Sequence, residues 1–60
     1  MEVHSMTPQV GDIWCFRDKM NYLLMERHDH DSFTALDLTM GKTYRIMLDY
    51  SNAKTWRFVA

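Results

Sequence analysis

An all-β fold of five short strands is what this 60-residue sequence predicts. Three observations carry the prediction. The apolar residues fall into five runs of strand length, at residues 10–17, 22–28, 33–40, 43–50 and 56–60. Each run is rich in aromatic, branched or long apolar side chains. Polar or glycine-containing breaks separate successive runs, and no run is long enough for an independent helix.

The elements follow in order. Residues 1–9 read as a flexible N-terminal leader and residues 10–60 as the single folded domain. Pro8 biases Thr7 toward an extended conformation. Gly11 opens the first strand at a position that asks for unusual dihedrals or close approach. Asp18-Lys19-Met20-Asn21 is a hairpin connection, with Asp18 and Asn21 suited to bonding the local backbone. His28-Asp29-His30-Asp31-Ser32 is the second break. Met40-Gly41-Lys42 is a tight turn in which Gly41 supplies a positive φ. Residues 50–55 suit a short helical turn before the last strand.

Period-two alternation assigns faces. It places Leu36, Leu38, Tyr44, Ile46 and Leu48 in the core, joined by Ile13, Cys15, Leu23, Met25 and Phe58. Trp14 and Phe16 then point outward, beside Tyr22 and Leu24 across the hairpin. Two large aromatics on the outside of so small a domain are either partly covered by loops and the N-terminal leader or form a patch that meets a partner.

Composition narrows the setting. Apolar residues make up 47% of the chain, enough for a compact core. Cys15 is the single cysteine, so no intrachain disulfide forms, and its apolar surroundings predict a buried, inert thiol. The opening Met1-Glu2-Val3-His4-Ser5-Met6 has neither a basic n-region nor an apolar h-region. No apolar stretch approaches the ~20 residues that span a bilayer. A cytoplasmic location is expected. The net charge of −1 exerts no global pull on nucleic acid. Residues 1–40 carry three Lys or Arg against seven Asp or Glu, whereas residues 41–60 carry four against one.

The Pro8-x-x-Gly11-Asp12-Ile13-Trp14 opening, the Leu36-Asp37-Leu38-Thr39-x-Gly41-Lys42-x-Tyr44 hairpin and the turn before Trp56-Arg57-Phe58-Val59 resemble an SH3-like small β-barrel. Tiny barrels of this kind are encoded by bacteriophages and bacteria. The resemblance covers roughly residues 8–60 and implies a five-stranded barrel; it assigns no chemistry.

Reaction chemistry finds little to work with. His28 and His30 share one face of an extended segment, so two imidazoles at most meet one ion, with His4 the nearest further candidate. Zinc sites use three or four protein ligands, and no metal site or other cofactor is expected. Cys15 has no base placed by the sequence, and Gly11 and Gly41 do not make a phosphate loop. The expected function is therefore a non-catalytic protein–protein interaction module, an accessory protein binding a host protein or a second copy of itself. Its expected contacts are Trp14, Phe16, Arg17 and Tyr22, and a homodimer is compatible with them. The alternative is a weak nucleic-acid-binding barrel using Lys42, Tyr44, Arg45, Lys54, Trp56 and Arg57, since small barrels bind strands through aromatic and basic faces.

Overall fold

A computed structural model describes residues 7–49, 51 and 54–60, and in it the chain forms one antiparallel sheet. The strands are β1 (Ile13–Phe16), β2 (Met20–Arg27), β3 (Ser32–Asp37), β4 (Lys42–Met47) and β5 (Trp56–Phe58). Their order across the sheet is β4-β3-β2-β1-β5, a meander whose last strand returns to the first. The all-β class and the five strands are as the sequence predicts.

Closure is not. β4 and β5 are the two edges of the sheet, and no ladder joins them, so the sheet curls without becoming a closed barrel. Lys42 and Arg45 on β4 and the three-residue length of β5 are devices that keep strand edges apart. The expected helical turn before the last strand is also not seen. Ser51, Lys54 and Thr55 lie in turns, and no helix occurs among the described residues. Residues 1–6 of the expected leader, His4 included, lie outside the described residues.

Turn chemistry sets the register. Arg17 and Asp18 have φ of 52° and 57°, and the Lys19 N–H donates to the Phe16 carbonyl at 3.0 Å. Two successive left-handed residues are what a type I′ hairpin turn requires. Gly41 has φ 73° and its N–H donates to the Asp37 carbonyl at 2.7 Å, so the turn expected there forms around a glycine. The Asp37 carboxylate accepts from the amides of Thr39 at 2.8 Å and Met40 at 3.2 Å. Its burial is thereby offset by two charge-assisted bonds. A bulge between Leu24 and Glu26 turns Met25 outward and sharpens the curl. Before β1, Gly11 bends the chain so that Pro8 is buried, and Arg27 donates to the Pro8 carbonyl.

On β1, β2 and β3 the core reverses the face assignment made from sequence, whereas Ile46 on β4 and Phe58 on β5 pack inward as expected. Trp14, Tyr22, Leu24, Phe33, Ala35, Leu48 and Trp56 are buried together, with Phe16, Met20, Ile46 and Phe58 packed against them. Cross-strand pairs Trp14–Tyr22, Leu24–Ala35 and Phe33–Ile46 define this concave face. Ile13, Leu23 and Leu36 are paired in a row on the opposite face, and Met25, Leu38 and Tyr44 are exposed. The physical reason is area. Aromatic rings bury more apolar surface than the aliphatic residues beside them, so the parity that turns Trp14, Tyr22, Phe33 and Trp56 inward wins. Leu48 and Cys15 are buried as expected, Cys15 between Asn21 and Arg57 of the flanking strands.

Candidate functional site

Where the curled sheet fails to close, its two edges frame an open cleft of roughly 230 Å³ lined by Phe16, Tyr22, Ile46, Met47 and Trp56. Four of the five strands contribute. Phe16 ends β1, Tyr22 lies in β2, Ile46 and Met47 end β4, and Trp56 begins β5. Register brings the rings together: Phe16 and Trp56 are cross-strand partners with centroids 4.8 Å apart. Tyr22 stands 5.8 Å from Trp56 and meets Tyr44 edge-on at 6.5 Å. Tyr22 and Trp56 are buried and form the floor, Phe16 and Ile46 are half-buried walls, and Met47, 70% exposed, is the rim.

Polar features are few and local. The Arg17 guanidinium lies 5.2 Å from the centre of the Phe16 ring, a cation over an aromatic face. The Tyr22 hydroxyl donates to the Met20 sulfur at 3.6 Å, a weak acceptor. Burial, and then the carboxylate of its cross-strand partner Asp37, raises the Tyr22 pKa above the ordinary phenol value. Among the described residues the lining contains no carboxylate, imidazole or thiol. What it can do is grip an apolar side chain. Its volume lies below the ~300 Å³ at which small-molecule sites begin.

Of the residues singled out for partner binding, Phe16 and Tyr22 line this cleft and Arg17 caps its wall. Trp14 does not belong to it. It is 3% exposed, packs edge-on against Phe58 at 5.6 Å, and donates its indole N–H to Asp12 at 3.3 Å. The outward orientation read for Trp14 and Tyr22 is thus corrected: both face the core, and Tyr22 reaches the cleft only from below. Ile46 and Met47 were missed as site residues. The signal available for them was the position of β4 as a sheet edge, which pattern alone does not give.

The basic residues divide between the two edges. Lys42, Tyr44 and Arg45 are on β4, whereas Lys54, Trp56 and Arg57 lie just before or on β5. Arg57 pairs with Asp18 at 2.8 Å, and this hydrogen-bonded carboxylate raises its already high pKa. Arg45 donates to the Ser32 hydroxyl at 3.3 Å. Trp56 belongs to the cleft floor. After β2, His28 is hydrogen-bonded to Thr34, and among the described residues no three His, Cys, Asp or Glu converge as a metal site.

Comparison of the chain with protein-family models, with curated proteins and with solved structures finds no match. No helix among the described residues is long and apolar enough to cross a membrane.

Proposed function

We propose that the protein is a small non-catalytic protein–protein interaction module, an SH3-like barrel left open along one seam. In this reading it is a cytoplasmic accessory protein of the kind bacteriophages and bacteria encode. The strand order, with β5 returning beside β1 after a four-strand meander, supports the SH3-like assignment. One observation carries the function: an aromatic cleft held open between two unpaired sheet edges, with a flexible methionine at its rim. Aromatic and methionine side chains around a concave apolar centre, with a cation at the margin, are the composition of interface anchors. The contacts assigned to the partner are Phe16, Tyr22, Trp56 and Met47, with Arg17 beside them.

Selection from a displayed library of protein fragments tests this reading. Enriched fragments should lose binding to Met47→Asp and Arg17→Glu variants whose circular dichroism is unchanged. Both side chains are exposed, so these substitutions spare the core. A library that yields no binder, or binders held equally well by both variants, contradicts the proposal.

A further inference from the structure

The cleft lies beside a strand edge whose hydrogen-bonding groups meet no partner strand among the described residues. In the β3–β4 ladder the Leu48 N–H donates to the Asp31 carbonyl at 2.7 Å. Bonded pairs alternate along an antiparallel ladder, so Tyr44 and Ile46 direct their backbone groups to β3. Thr43, Arg45 and Met47 direct theirs away from it, and among the described residues no strand meets that edge. The same parity at β5, fixed by Val59 N–H to Ile13 O at 2.8 Å and Arg17 N–H to Thr55 O at 2.7 Å, turns Trp56 and Phe58 outward on the opposite seam.

We infer that an extended, acidic segment of a partner protein adds to β4 as a sixth strand and lays its apolar side chains in the cleft. This inference rests on the interaction reading above and names its mode and ligand. Strand addition supplies affinity through main-chain bonds, and pockets for alternate side chains supply selectivity. The parity dictates the sequence of the added strand. Residues bonded to Thr43, Arg45 and Met47 share the outer face with Arg45, so carboxylates suit them. The residues between them fall on the face of Tyr44 and Ile46, over the aromatic cleft, so apolar side chains suit those. β4 carries Lys42 and Arg45 and no carboxylate, and Arg17 adds a third cation near the opposite wall. That charge selects against a second copy of the same strand, which would crowd four cations onto one short ribbon.

The probe is the heptapeptide acetyl-Glu-Ile-Glu-Phe-Glu-Ile-Glu-amide, titrated into ¹⁵N-labelled protein. Saturable binding should slow exchange of the Thr43, Arg45 and Met47 amides while leaving Tyr44 and Ile46 unchanged. N-methylation of the two internal glutamates removes donors that face β4 and should weaken binding at least about tenfold. A peptide with Lys in place of every Glu should bind at least about tenfold more weakly at low salt.

If both the parent and the N-methylated peptide bind equally and β4 exchange is unaltered, strand addition is wrong while a cleft-binding module survives. If the heptapeptide fails to bind although library fragments do, the inference falls and the interaction reading stands. Sedimentation that reveals a dimer with the outward β4 amides already protected identifies the occupant as a second copy, which also overturns it.

Discussion

Trp14 is the residue on which the packing turns. Truncation of a buried tryptophan typically costs about 3–5 kcal/mol. A 60-residue domain at ~0.05–0.15 kcal/mol per residue holds only about 3–9 kcal/mol in all. Trp14→Ala is therefore expected to be largely unfolded or to melt far below the parent in a urea titration. Leu38→Ser and Met25→Ser, at exposed positions that alternation assigns to the core, should shift stability by about 0.5 kcal/mol or less. Equal effects at Trp14 and Leu38 would contradict the observed face. Tyr22 gives a second test. Its raised pKa means that the folded state disfavours the phenolate, so its contribution is intact below pH ~10. That contribution is lost as the pH rises through the folded value. Tyr22→Phe should flatten the alkaline decline of stability measured by urea titration from pH 9 to 11, and an unchanged slope would refute the assignment. Asp37 shows why the faces were illegible. Its carboxylate marks the Phe33–Ala35–Asp37 parity as the solvent side, whereas the Thr39 and Met40 amides allow it to sit in the core.

At the scale of elements, the β1–β2 hairpin holds two non-glycine residues at positive φ, and Arg17 is the less suited of them. Asparagine visits the left-handed region with less penalty than arginine. Arg17→Asn is expected to stabilise the domain by up to about 1 kcal/mol, read as a higher urea midpoint at constant slope, and a lower midpoint would mean that its contact with Phe16 matters more than the turn. Here the sequence was partly readable: Asp18 announced a turn, which forms at Arg17–Asp18 and leaves Asn21, expected in the connection, paired in β2, and Gly41 announced the turn before β4 with its conformation. The five runs located all five strands because apolar and turn residues alternate clearly. Their inner and outer faces were harder, since strands such as Ile13–Phe16 are apolar on both sides and parity alone does not choose. Length was the other loss. Residues 48–50 extend the fourth run on composition, yet β4 ends at Met47, where Leu48 turns into the core.

For the whole molecule the decisive feature is the unclosed seam, and the sequence offers no local sign of it. Closure depends on how far β4 and β5 curl toward each other, a sum over every twist, bulge and turn between them. The aromatic cleft, the divided basic residues and the unpaired edge groups of β4 all follow from that seam. Backbone amide exchange of the free protein, followed residue by residue by NMR, tests it directly. Along β4 the account predicts alternation: Tyr44 and Ile46 protected by at least ~10², Thr43, Arg45 and Met47 exchanging near the unfolded rate. Protection of all five amides would mean that a strand already covers this edge and that the cleft, as a docking site, does not exist.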